Sequence, residues 1–143
     1  MSCLSCRSWV ACVALVCPSF AWADRAPEDR TAATHVIVGV AGEAYHRDSK
    51  VNRHYLVPIT ITKVEKGDGL KVGDVIYAKC NRPRRDVNTT GLSEREKKEL
   101  LFMVDGGHNL VPNEGQKVKV FLKKWGGTYE GIFPDWADDL DKK

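Results

Sequence analysis

Residues 53–64 read RHYLVPITITKV and carry the strongest strand pattern in the chain. Tyr55, Val57, Ile59 and Ile61 fall at every second position, and this period of two is typical of a strand with one buried face. Pro58 lacks the N–H that a β-ladder needs, so we expect the strand to lie at a sheet edge or to bulge there. Working outward from this strand organises the remaining segments.

Further strand patterns lie on both sides of residues 53–64. Residues 35–45 (HVIVGVAGEAY) are small and β-branched, and we expect them to form a long hairpin with 53–64 across a polar loop at 46–52. The glycine-rich stretch 66–74 (KGDGLKVGD) predicts a turn, and Gly126-Gly127 predicts a tight hairpin. The remaining predicted strands are 75–80, 117–123 and 128–133.

One segment has helical character. Ser93 and Glu96 have the spacing of a capping box, the residues after them are good helix formers, and Gly106-Gly107 supplies a stop. The pattern predicts a helix over 93–104. The alternative is a polar loop followed by a strand at 99–104, because ELLFMV is also a buried-strand pattern.

These elements predict an all-β fold with one short helix. Five or six strands at short spacing favour a small antiparallel barrel, and the order of strands and helix matches an oligonucleotide/oligosaccharide-binding (OB) type of barrel. The alternative is a β-sandwich. We assign residues 35–134 to this single domain, which is long enough to bury a modest core.

The ends of the chain predict export. Residues 1–23 combine one positive charge at Arg7, a short apolar run and the triplet Ala21-Trp22-Ala23, which are the parts of a cleavable signal peptide. We expect cleavage near Ala23, a periplasmic or secreted location and no membrane span in the mature chain. Residues 24–34 predict a flexible leader, and 135–143 predict a solvated acidic tail that Trp136 or Leu140 can anchor.

The charge balance argues against one class of partner. Cleavage removes only Arg7 from the 22 basic residues, so 21 basic residues remain against 19 acidic ones. A strongly cationic nucleic-acid binder carries a much larger excess. We therefore expect no nucleic-acid partner. The oligomeric state does not follow from the sequence.

The segment VIVGV…VPITITKVEKGDGLKVGDVIYAKC, within residues 35–80, resembles netrin-like modules and tissue inhibitors of metalloproteinases in its rhythm of strands and turns. The resemblance implies an OB-type barrel. It does not extend to the inhibitory mechanism, because those inhibitors chelate zinc through a disulfide-held N-terminal cysteine and the mature chain keeps only Cys80. The whole chain is also similar to small exported proteins of planctomycete-like bacteria, a likeness that implies no activity.

A basic cluster is the leading candidate for a ligand site. Basic side chains surround Pro83 in the loop after the third predicted strand, and such a patch can bind carboxylate, sulfate or phosphate groups. It can equally be a solvated loop. The candidate ligand-binding residues are Lys79, Arg82, Arg84, Arg85 and His108.

Other chemistry has weaker support in the sequence. Cys80 and His108 are the one pair that could form a thiolate nucleophile, against a core cysteine and a loop histidine. The four histidines, His35, His46, His54 and His108, lack metal-ligand spacing, and we expect no metal and no cofactor.

Aromatic residues near the last hairpin allow two interpretations. They can stack on sugars or anchor a protein, or they can belong to the core, which we favour. They are Trp125, Tyr129, Phe133 and Trp136.

The sequence thus predicts a non-catalytic exported binding module that contacts a protein or an anionic glycan through its loops. The alternatives are a small metal- or thiol-dependent enzyme using Cys80 and His108, and a structural component of the cell envelope.

Overall fold

The computed structural model describes residues 26–102 and 106–142, with the backbone only at 101 and 102. The predicted signal peptide lies outside the described residues. A mostly β architecture with one short helix is confirmed. After a 3-10 turn at Arg30–Ala32, the elements are β1 His35–Ala41, β2 Tyr45–Asp48, β3 Asn52–Lys66, β4 Val75–Pro83, α1 Glu94–Phe102, β5 Lys117–Trp125, β6 Thr128–Gly131 and β7 Ala137–Asp139.

All seven strands of the described residues belong to one sheet, and five of these strands close into a ring. The pairing runs β1–β3–β4–β6–β5, and β5 pairs again with β1. β2 attaches to β3 and β7 attaches to β5, outside the ring. The expectation of an antiparallel sheet needs correction, because β4 and β6 run parallel and the sheet is mixed. Parallel neighbours require a long crossover, and the connection through α1 and β5 supplies it.

The predicted strand at 53–64 is the longest element, β3. Val57, Ile59 and Ile61 are almost completely buried, as their alternation predicts. β3 is an interior strand rather than an edge, since β1 and β4 flank it. Pro58 fits there because it lies between the two stretches of β3 that pair on that side. Residues 53–56 pair with β2 and residues 59–66 pair with β1. The missing N–H of Pro58 therefore faces a gap in the ladder.

The short strand β2 replaces the first three residues of the predicted polar loop at 46–52. Its four residues are all exposed, so no alternation of apolar and polar residues marked it as a strand. Its register places Asp48 opposite Arg53, and two hydrogen bonds of 2.6 and 2.8 Å join their side chains. β2 extends the sheet beyond the point where β1 ends.

The capping box begins α1 as predicted. The Glu96 carboxylate accepts hydrogen bonds from the Ser93 N–H and hydroxyl at 2.8 and 2.7 Å, and the Glu96 N–H donates to Ser93 Oγ at 3.3 Å. These bonds give partners to main-chain N–H groups that have no carbonyl partner in the first turn of a helix. Residues 94–102 are thus helical rather than a loop followed by a strand. Residues 103–105 lie outside the described part of the chain.

The predicted leader and the predicted tail both make specific contacts in the structure. Arg30, from the predicted leader, forms a bidentate ion pair with Asp138 at 2.8 and 2.6 Å. In the predicted tail, Trp136 is fully buried and its indole N–H donates to the Leu110 carbonyl at 2.6 Å. A Cβ at Gly131 would lie 2.8 Å from the Trp136 side chain, so only glycine leaves room for this packing. Trp136 thus anchors the predicted tail, and β7 follows it at Ala137–Asp139.

The two tryptophans near the C-terminus provide a matched test of this packing. We expect Trp136→Ala to lower the free energy of unfolding by about 3–5 kcal/mol, because it removes a fully buried aromatic side chain. Trp125→Ala should change it by less than about 0.5 kcal/mol, since Trp125 is 70% exposed. Urea unfolding followed by circular dichroism measures both. Equal losses in the two variants would contradict the assignment of Trp136 to the core.

Candidate functional site

Basic residues gather in a depression of about 730 Å³ at one end of the sheet, which we call the arginine cleft. The start of β3, the end of β4 with its following loop, and the segment preceding β5 all contribute. Four of the five predicted ligand-binding residues line it, and Lys79 does not. The cleft is lined by Arg53, Tyr55, Arg82, Pro83, Arg84, Arg85, Asp86, Gly107 and His108.

Two of the arginines in the cleft are paired with carboxylates. Arg53 makes a bidentate contact with Asp48, its partner in the β2–β3 register. Arg84 makes a second bidentate contact with Asp86, at 2.9 Å for both hydrogen bonds. The hydrogen bond from Arg84 holds the pKa of Asp86 down at about 2, and the one from Arg53 lowers the pKa of Asp48. Both carboxylates are therefore ionised at neutral pH.

The other two arginines, Arg82 and Arg85, differ in whether their side chains already form hydrogen bonds within the protein. Arg82 donates to the main-chain carbonyls of His108 and Asn109 at 3.4 and 2.7 Å, which keeps its charge but uses its donors. Arg85 is exposed and makes no hydrogen bond or ion pair with any residue that the structure describes. Arg85 is consequently the arginine of the cleft whose donors are available to a ligand.

His108 links the loop before β5 to β4 and β6 through polar contacts at the cleft. Its side chain is buried, at 4% exposure, although His108 lies in the loop before β5. Nδ1 lies 2.6 Å from the Asn81 side-chain oxygen and 3.1 Å from the Asn81 main-chain nitrogen, and Nε2 lies 3.1 Å from the Gly131 carbonyl oxygen. The main-chain N–H of His108 donates to the Asn81 carbonyl at 2.8 Å. His108 thus positions the wall of the cleft.

A second depression, of about 670 Å³, adjoins the cleft, and we call it the aromatic groove. It shares Tyr55 and His108 with the arginine cleft. Two aromatic side chains at its margin are unusually exposed, Trp125 at 70% and Tyr45 at 64%. The other principal lining residues are His46, Arg47, His54, Leu56, Lys79, Cys80, Asn81 and Glu130.

The strand register explains how the groove forms. Leu56 on β3 stands opposite Tyr45 on β2 and Lys79 on β4, so these three side chains share one face of the sheet. Glu130 on β6 is the next neighbour of Lys79. Arg47 and Lys79 are exposed and make no ion pair or hydrogen bond with a described residue. The groove therefore combines open cationic side chains with aromatic surface.

The aromatic residues predicted near the last hairpin divide into two groups. Trp136 and Phe133 are buried and Tyr129 is partly buried against the core, as the favoured interpretation has it. Trp125 is the exception, since it is exposed beside the hairpin turn. Sequence reasoning missed Tyr45 and Arg47 because it placed Tyr45 at the end of the predicted strand 35–45 and Arg47 in a loop, whereas both belong to β2.

The thiol required by the enzymatic alternative lies in the core. Cys80 is 4% exposed, and burial raises the pKa of its thiol to about 12. The His108 ring makes polar contacts with Asn81 and Gly131 and packs edge-on against Phe133 and Trp136. Among residues 26–102 and 106–142, no group of three or more possible metal ligands comes together. His46 and His54 occupy adjacent β2–β3 pairs and so point to opposite faces.

Comparisons with family models, with curated proteins and with solved structures gave no match. Within the described residues, the structure contains no helix of sufficient length and apolar character to span a bilayer.

The state of Cys80 can be measured directly. We expect iodoacetamide to alkylate the native chain very slowly at pH 8, because a thiol with a pKa near 12 has almost no thiolate at that pH and is shielded from solvent. The rate should rise steeply once urea unfolds the chain, and mass spectrometry of the labelled peptide measures it. Rapid alkylation in the native state would instead favour a reactive thiol and the enzymatic alternative.

Proposed function

We propose that the chain is an exported, non-catalytic binding module that holds an anionic glycan across the arginine cleft and the aromatic groove. The observation that carries this proposal is the joining of the two depressions through Tyr55 and His108. One of them offers arginines and the other offers exposed aromatic rings. An anionic glycan presents both matching chemistries, since its sugar rings have apolar faces and its substituents are charged.

The available cations support an anionic ligand. Arg47, Lys79 and Arg85 have exposed side chains with no charge partner among the described residues. A carboxylate or sulfate group accepts charge-assisted hydrogen bonds from such side chains, and arginine can do so with two parallel bonds. A chain spanning Lys79 to Pro83 along β4 covers about 13 Å at the rise of a strand. The surface therefore suits an extended ligand better than a single sugar.

The aromatic residues support a carbohydrate. Trp125 and Tyr45 expose most of their side chains to solvent, although neither is needed to fill the core. Flat aromatic surface of this kind gives stacking contacts at low cost in conformational entropy. A protein ligand would use the same rings as anchors, so it remains the second candidate, and a structural role in the cell envelope is the third.

We also propose that the closed ring is an OB-type barrel. Numbering only the ring strands, β1, β3, β4, β5 and β6 follow the order 1-2-3-5-4-1, and α1 lies between the third and fourth. In OB barrels, the face of strands 2 and 3 and the loops beside it bind oligosaccharides and oligonucleotides. Here β3 and β4 form the floor of the groove. This support is an analogy between folds.

Binding of a sulfated oligosaccharide tests the proposal, with its desulfated counterpart as the neutral ligand. Isothermal calorimetry should show binding of the sulfated chain alone, weakening as salt is added. Arg85→Ala should reduce the affinity about tenfold, because it removes an uncommitted charged donor. Trp125→Ala should reduce it about two- to tenfold through lost stacking.

The matched control is Arg95→Ala on α1, which removes an equally charged and 88% exposed side chain outside both depressions. It should leave the affinity unchanged. Equal losses for Arg85→Ala and Arg95→Ala would indicate nonspecific attraction by net charge and would contradict the proposal. No binding of either oligosaccharide would also contradict it.

A further inference from the structure

We infer that Asp86 is a built-in substitute for the ligand's anionic group, occupying the guanidinium of Arg84 until a ligand oxyanion displaces it. This inference rests on the proposed function and deepens it, because it names the chemical group that the arginine cleft selects. The group is an oxyanion with two oxygens available to one guanidinium, namely a carboxylate or a sulfate.

The geometry of the Arg84–Asp86 pair is that of a bound carboxylate. Arg84 Nε donates to one oxygen of Asp86 and Nη2 donates to the other, each at 2.9 Å. This two-bond arrangement is the one by which arginine recognises carboxylates in ligands. A ligand carboxylate or sulfate at this place would make the same two bonds.

The exposures show which partner is covered. The Asp86 side chain is 61% exposed, whereas the Arg84 side chain is only 23% exposed. Asp86 therefore lies on the solvent side of the pair and screens Arg84. An exposed ion pair contributes little to stability, so a ligand can replace Asp86 at small cost.

Arg84 remains held when Asp86 leaves. Its Nη1 donates to the Ser49 carbonyl at 3.0 Å, and its main-chain N–H donates to the Val51 carbonyl at 2.8 Å. Asp48 lies 3.8 Å from Nε. These contacts fix the guanidinium independently of Asp86, which lowers the entropy that a ligand must overcome.

The second carboxylate of the network has a different role. Asp48 pairs with Arg53 within the β2–β3 register, and its side chain is 32% exposed. Displacing it would disturb a strand pair, whereas Asp86 belongs to the loop after β4 and pairs with a residue two positions away. Asp86 is thus the displaceable carboxylate, and the neighbouring Arg85 adds a donor for a ligand that has displaced it.

The test is the isosteric variant Asp86→Asn, which keeps the shape of the side chain and removes its charge. Calorimetry with the sulfated oligosaccharide should show an affinity about two- to fivefold higher than that of the unsubstituted chain, because the competing carboxylate is gone. Arg84→Ala introduced together with Asp86→Asn should abolish the gain. Glu65→Gln is the matched control, since Glu65 is likewise a carboxylate paired with basic side chains, Lys63 and Lys119, but lies outside both depressions.

A second readout uses inorganic sulfate and does not depend on the glycan. The Nε–Hε resonance of Arg84 should shift at lower sulfate concentration in Asp86→Asn than in the unsubstituted chain. If the oligosaccharide binds but Asp86→Asn binds it no more tightly, the inference is overturned and the proposed function stands.

The converse result separates the two claims in the other direction. If no oligosaccharide binds but sulfate reaches Arg84 more readily in Asp86→Asn, the glycan proposal fails and the role of Asp86 stands. A gain of the same size in Glu65→Gln would also overturn the inference, because net charge would then explain it. Failure of both ligands with every variant overturns both claims.

Discussion

The continuous pairing of β3 with its neighbours is the constraint on which the rest of the structure depends. Its residues 52–60 pair with β4 along one side, and along the other side its residues 53–56 pair with β2 and its residues 59–66 with β1. The part from Val57 to Ile61 places its alternate side chains in the core. The first residues, from Asn52 to Leu56, extend beyond the end of β1. That extension forms the floor on which both depressions lie, so core and site share one strand.

The charges at this end of the sheet largely neutralise one another. Arg53 and Arg84 each hold a carboxylate, and Arg82 holds two carbonyl oxygens. A count of basic residues in the loop would therefore overstate the charge that a ligand meets. The effective cations are the few side chains without such partners, and they stand beside aromatic surface. Recognition in this account depends on where uncommitted donors lie relative to the rings.

The sequence anticipated the parts of the fold that depend on local patterns. The alternation of Val57 and Ile59 predicted β3, and the spacing of Ser93 and Glu96 predicted the start of α1, because each pattern has a direct physical cause within a few residues. It did not anticipate β2, whose residues are all exposed, or the short strand β7, whose partner β5 is distant in the sequence. The parallel pairing of β4 with β6 was missed for the same reason.

The candidate site was anticipated only in part. The sequence singled out Arg82, Arg84, Arg85 and His108, and the structure brings them into one cleft, since three are consecutive or nearly so and His108 bonds to β4. The aromatic groove could not be predicted, because it depends on the register that sets β2 beside β3. The pairing of Arg53 with Asp48 depends on that same register.

The most direct test of the central claim is to map the bound ligand on the surface by amide chemical-shift changes as a sulfated oligosaccharide is added. The account predicts that the largest changes fall in four segments that meet at the two depressions, residues 45–56, 79–86, 107–108 and 125–130. Changes confined to the turn at 67–74 or to α1, or spread evenly over the surface, would contradict it.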